Sequence, residues 1–272
     1  MTRDATSILV IGDTAHAEFC YVPHALTWYG TVRLAHNLAD LDRDPPELCF
    51  LLQRYPGEFP ALELDALLRR WPLTRFVTVA GSLCEGEPRS GQPWPGQVRI
   101  YWHEFPGWWA LQCKRIANGQ AAEWALPRTS REEDVIRNLG DVEWPGLEGL
   151  IGVVGSRRSG AANCLLDILR TANLAGVLLP GDHSTMVTGL RCLLWDDADP
   201  DGLWRDELRA LSQTWPCVPI LALMNYPRVA DRDWLEEQFE VGAAVLGKPY
   251  DVDVLLATLS HVAATPAIVR KS

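Results

Sequence analysis

Positive charge is scarce in this chain. Lysine and arginine together number 25 against 35 aspartates and glutamates over 272 residues, a formal net charge of −10, and no basic run interrupts the balance. Non-specific nucleic-acid binding rests on neutralising phosphates and is therefore not expected. Long apolar runs are missing too. The first one, residues 7–11, is shorter than a secretory h-region and far shorter than the roughly 20 residues of a membrane span, so a cytoplasmic protein without a membrane partner is expected. No CxxC pair occurs among the seven cysteines at 20, 49, 84, 113, 164, 192 and 217. Most of them lie in or beside apolar runs such as Leu48-Cys49-Phe50, which points to buried, reduced thiols rather than a zinc site or a disulfide framework. Kinase, cyclase and helix-turn-helix motifs are absent. No enzyme activity, metal or cofactor is expected.

What is present is apolar and evenly spread. Hydrophobic residues make up 47% and charged residues 22%, the balance of a folded globular chain, and the length suits two domains each able to bury its own core. In the first half, Ile8-Leu9-Val10-Ile11-Gly12-Asp13 reads as a strand ending in Gly-Asp. A crossover helix to about Tyr29, shortened or broken at Pro23, should follow. Strands are expected at 31–34, 47–53, 75–81 and 98–102, with a helix over 62–71 carrying Leu64, Leu67, Leu68 and Trp71 at helical spacing. Five strands alternating with helices predict a doubly wound parallel sheet in flavodoxin-like order.

Residues 84–96 interrupt the pattern with three glycines, three prolines, two glutamates, Arg89 and Trp94, a composition that fits neither helix nor strand. Two readings stand. The segment is a partner-binding loop in which Arg89 pairs with an acidic group and Trp94 anchors a partner, with Trp102 nearby. Alternatively it folds over its own sheet edge, with Arg89 tied to Glu85 or Glu87. Tryptophans 94, 102, 108, 109 and 124 fall within about thirty residues, as a partner surface or as the seam between halves. His103 beside Glu104 lacks any second catalytic partner and reads as structural or surface. A short helix over 110–118 should stop at Asn118-Gly119. Residues 119–147 form a packed connector with a capping box at Ser130-Arg131-Glu132-Glu133.

The second half repeats the architecture. Leu150 to Gly155 is its first strand, and Ser156-Arg157-Arg158-Ser159-Gly160 leads into a helix to about Leu174. Gly155 and Gly160 have the spacing of a Walker A loop. Ala161 and Ala162 replace its Lys and Ser/Thr, so nucleotide hydrolysis is not expected, although the helix start could hold an anion. Leu190 to Trp195 is a strand that runs into Asp196-Asp197-Ala198-Asp199-Pro200. Four aspartates in six positions suggest calcium, and Glu207 stands at the twelfth place, but Asp201 fills the sixth, where that loop wants Gly, leaving a solvated acidic loop as the expectation. Pro219 to Met224 and Ala243 to Gly247 are strands about twenty residues apart, one βαβ unit, with a helix from Val229 between them. Lys248-Pro249 closes the second, and an amphipathic helix over 251–262 follows.

A strand closed by Lys-Pro one βαβ unit after Pro-Ile-Leu-Ala-Leu, with Asp196 four residues ahead of Pro200, resembles a response-regulator receiver domain over residues 148–262. The first half, over residues 6–118, resembles the same CheY-like family through strand order more than motif. The resemblance implies two tandem flavodoxin-like α/β units with five-stranded parallel sheets: residues 1–118, a connector 119–147, residues 148–265 and a tail 266–272. It implies Asp196 as phospho-acceptor and Lys248 as the group holding the phosphoryl oxygens. Departures are equally specific. Gly155 and Ser156 stand where the metal-binding acidic pair follows strand one, Met224 stands where a Ser or Thr ends strand four, and Gln53 stands where the first half would present its acceptor. Magnesium would have only Asp196 and a backbone carbonyl, and without substrate help it rarely settles on so few protein ligands. The expectation is a non-enzymatic pseudo-receiver that works through protein partners: a histidine kinase, another regulator, or itself as a homodimer. An atypical phospho-acceptor using Asp196 and Lys248 is the first alternative, and an anion- or small-molecule-binding α/β protein using Gly155 to Gly160 and Arg89 is the second.

Overall fold

The computed structural model describes residues 6–91, 93–94, 98–127, 149–154, 159–179, 187–196 and 204–264. The chain divides into two compact units, Met1–Phe105 with Gln112–Gly140, and Pro106–Leu111 with Asp141–Ser272.

In the first unit, β1 (Thr6–Ile11), β2 (Gly30–Ala35), β3 (Leu48–Gln53), β4 (Arg75–Ala80) and β5 (Val98–Tyr101) form one sheet in the order β2-β1-β3-β4-β5, every pair parallel. Central strands in such a sheet are covered on both faces and so read as unbroken apolar runs. All of β3 is buried, as are five of six residues of β4, whereas the edge strands β2 and β5 each bury a single residue. Helix α1 (Val22–Leu26) is the short helix that Pro23 dictates. Helix α2 (Ala61–Arg70) lays Leu64 and Leu67 against Leu9, Ile11, Cys49 and Leu51. Gly12, at φ +127°, lets the chain leave β1 where a side chain would strike the Leu52 carbonyl at 2.7 Å.

Three local expectations are corrected. Residues 84–96 are not free of helix: a 3-10 turn over Ser82–Cys84 precedes a one-turn helix, α3 (Glu87–Ser90), and Pro88 sits in its first turn, where a missing N–H costs nothing. Helix α4 (Phe105–Ala117) begins five residues earlier than the apolar spacing suggests, because Pro106 is likewise tolerated in the first turn. Strand β5 stops at Tyr101, so Trp102, His103 and Glu104 form a turn, not a strand end. The capping box at 130–133 lies outside the described residues.

The second unit has the same winding. Strands β6 (Leu150–Val154), β7 (Ala175–Leu179), β8 (Leu190–Asp196), β9 (Ile220–Met224) and β10 (Ala243–Gly247) pair in parallel in the order β10-β9-β8-β6-β7. Strand β7 has no counterpart among the sequence expectations: it is a mostly exposed edge strand with Gly176 inside it, and glycine weakens the strand signal. Helices α5 (Ser159–Thr171), α6 (Trp204–Thr214), α7 (Val229–Gln238) and α8 (Val252–Ala264) alternate with these strands along the chain. Helix α8 is buried over most of its length, from Val254 to Leu259 and at Val262 and Ala263. Both halves are thus α/β units with five parallel strands in flavodoxin-like order. Among the described residues, no helix is long and apolar enough to cross a membrane.

Candidate functional site

In parallel α/β sheets chemistry gathers beyond the carboxyl ends of the strands. At that edge of the first unit, β3 ends on Gln53, buried at 7% exposure. Its side-chain oxygen accepts a hydrogen bond from Arg99 Nη1 at 2.9 Å, and its amide nitrogen donates to the Tyr55 carbonyl at 3.1 Å. Arg99 comes from the middle of β5 and its second Nη bonds the Glu87 carboxylate of α3, a pair whose side chains are 14% and 5% exposed. Cys84 Sγ donates to the Gln53 carbonyl, which also accepts the Gly81 N–H at 2.7 Å. Burial raises the Cys84 thiol to about 11, with the Arg99 charge working against that rise.

Glu18, 8% exposed, fastens the loop after β4 from the other side. It accepts from the Ser82 hydroxyl at 2.5 Å and from the Ser82 N–H at 3.2 Å, and Ser82 Oγ accepts the Trp102 indole N–H at 3.0 Å. A side chain at Gly81 would collide with the Glu18 carboxylate, so glycine is what permits this approach. Asp13 follows β1 and faces Arg54 at 3.4 Å, while Arg54 pairs at 2.6 Å with Glu58. The neutral Gln53 and its arginine thus occupy the carboxyl end of the sheet's central strand.

The residues singled out as a partner loop separate. Arg89 is exposed, and Glu87 is engaged with Arg99 instead. Trp94 stands edge-on to Phe76 at 5.4 Å, its indole N–H 3.4 Å from Asp65. Trp102 is buried at 1% and offers no surface. His103 is also buried, stacked on Tyr101 at 5.8 Å and 3.8 Å from Glu85. Arg99, Glu18 and Ser82 escaped the sequence reading. The available signal was an arginine between two apolar residues of a short strand, Val98-Arg99-Ile100, which is costly to bury without a partner.

At the matching edge of the second unit, β8 ends on Asp196, whose side chain is 8% exposed, and Lys248 bonds it directly through Nζ. Lys248 stands there because β10 pairs with β9 up to Gly247 opposite Met224, and the Lys248 N–H donates to the Met224 carbonyl at 3.0 Å. The Lys248–Pro249 bond is cis. Met224 is buried at 3%. Tyr250 follows on the same side, and burial together with the Asp196 charge pushes its phenol up. Gly155 and Ser156, Arg157 and Arg158, and the aspartates after Asp196 lie outside the described residues. Among the described residues no group of three metal-ligating side chains comes together.

No family model matches the chain, and no curated protein does. Among solved structures it is similar to full-length FixJ from B. japonicum, 21% identical over 42% of this chain and 57% of that one, at a TM-score of 0.33. The structure of a transiently phosphorylated switch in bacterial signal transduction is 25% identical over 42% of this chain and 94% of that one, at 0.33. The E. coli RcsC C-terminus, containing a linker region and a phosphoreceiver domain, is 12% identical over 97% and 96%, also at 0.33. The chain spans little more than half the length of the first of these. The strand order and the carboxyl-edge geometry, not these superpositions, support the receiver-like reading.

Proposed function

We propose that the chain is a non-enzymatic signal-transduction or scaffolding protein of two receiver-like domains, residues 1–118 and 148–265, joined by a packed connector over 119–147. It works by contact with protein partners, a histidine kinase, another regulator or a copy of itself, and not by magnesium-dependent aspartyl phosphorylation. The observation that carries this reading is the Gln53–Arg99–Glu87 bridge. An acceptor needs a carboxylate open to a metal and a phosphorus atom; here the position holds an amide already bonded by an internal arginine. In the second unit, Met224 at the end of β9 offers no hydroxyl to follow a phosphoryl group.

One observation favours a second reading, phosphorylation at Asp196. Asp196 and Lys248 meet at the carboxyl edge of the second sheet, as acceptor and phosphoryl-binding lysine would. The anion-binding reading draws no comparable support, since Arg89 is exposed and the 155–158 stretch lies outside the described residues. Calorimetric titration with Mg²⁺, then with Mg²⁺ and beryllium fluoride, separates the first two. No heat and no change in oligomeric state is the expected result. Binding that disappears in Asp196→Asn would replace the pseudo-receiver with a working phospho-acceptor.

A further inference from the structure

The second unit carries a tryptophan–arginine ridge that neither sheet edge uses. Trp195, buried at 2% beside Asp196 in β8, lies 6.3 Å from Trp204, the first residue of α6, and Trp204 meets Trp234 of α7 edge-on at 5.3 Å. The row therefore runs from the sheet outward across two helices. Two guanidinium groups cap its outer end. Arg205 stands 4.9 Å from the Trp204 ring and 5.6 Å from the Trp234 ring, and Arg209 stands 6.0 Å from the Trp234 ring. Both arginine side chains keep about half their surface in solvent, at 49% and 48%.

Stacking on indole and one carboxylate of the same chain hold each guanidinium in place without using all five of its donors, so donors remain for a second acidic group. Preordered Trp and Arg are the residue types that carry most interface energy. The acidic groups are on the same patch: Asp231 lies 3.6 Å from Arg205, and Asp206 lies 2.8 Å from Arg209 with its own side chain 73% exposed. A patch with both signs beside an aromatic centre is complementary to itself, which is the requirement for a two-fold interface in which each arginine meets the other copy's carboxylate.

We infer that a second copy of this chain docks on the α6–α7 ridge, with Arg205 and Arg209 of one protomer against the carboxylates around Asp206 of its partner. This deepens the interaction reading above and rests on it, but it involves no phosphoryl chemistry. Sedimentation of the full chain over a concentration series, at low and high salt, tests it with three proteins: the natural chain, Arg209→Glu and Asp206→Arg. These two substituted positions are largely exposed, so both variants should fold, and circular dichroism checks that they do. The expected result is a salt-weakened dimer of the natural chain, a dissociation constant at least about tenfold higher in either variant alone, and a mixed dimer regained when the two variants are combined, because opposite charges then face each other twice. A monomer at all concentrations would overturn the inference and leave the ridge to a different protein. So would a dimer indifferent to both reversals, which would place self-association on another surface. Neither outcome touches the magnesium and beryllium fluoride titration, so the two readings fail separately.

Discussion

Removing the arginine that bridges Gln53 and Glu87 is the sharpest test of the first unit's architecture. Arg99→Met keeps the length and apolar stem of the side chain while deleting its charge. Glu87, 5% exposed, then holds a charge with its arginine gone, and the Gln53 oxygen loses its 2.9 Å donor. Breaking a buried pair by removing one partner costs about 3–5 kcal/mol, because the remaining charge is stranded in low dielectric. Since the two units need not unfold together, a single melting curve is the wrong assay. Native-state hydrogen exchange read on peptides spanning β3 to β5 isolates the affected unit. At about 1.4 kcal/mol per factor of ten, the loss predicts exchange faster by roughly two to four powers of ten there, and no change in β8 to β10. Arg99→Met with Glu87→Gln removes the stranded charge and should recover at least about half of the loss, since neutral replacements of a buried pair are often tolerated. A single variant that accelerates exchange less than about fivefold, or a double variant no better than the single, would refute the claim that this bridge holds the loop to the sheet.

Two further outcomes follow from the same geometry. Lys248→Met strands Asp196, and because Lys248 keeps 22% exposure the cost should fall near about 3 kcal/mol, the lower end for buried pairs. The second unit's thermal transition should drop by about 6–12 °C, and a shift under about 2 °C would show that water serves Asp196 as well as the lysine does. Burial raises the thiols of Cys84 and Cys113 to about 11 and of Cys192 to about 12, and Cys49 further still. The raised values mean that folded thiols keep protons which unfolded ones release. Their contribution to stability is complete below pH about 9 and is lost as pH climbs toward those folded-state values. Alkylation at pH 8 followed by mass spectrometry should mark the exposed Cys20, Cys164 and Cys217 and spare Cys49, Cys84 and Cys192. Rapid labelling of any of the last three would contradict the packing.

The winding of both halves is legible in the sequence for a physical reason: central strands of a parallel sheet are covered on both faces, so Leu48-Cys49-Phe50-Leu51-Leu52 and Ile220-Leu221-Ala222-Leu223-Met224 must be continuous apolar runs. Edge strand β7 escaped because an exposed strand needs no such run. Helix starts at Phe105 and Glu87 escaped because proline reads as a breaker along the sequence, whereas its effect depends on which turn it occupies. The Asp196–Lys248 pairing was visible as residue types at receiver spacing. That Arg99, forty-six residues along the chain from Gln53, reaches across to it was not, since only the parallel register of β3, β4 and β5 brings them together. The same holds for the indole row of Trp195, Trp204 and Trp234. Periodicity records which face a residue must hide, and the sequence alone determines that much. Which partner each charge and ring meets there is decided by how the strands align and the helices lie across them, and that belongs to the tertiary structure.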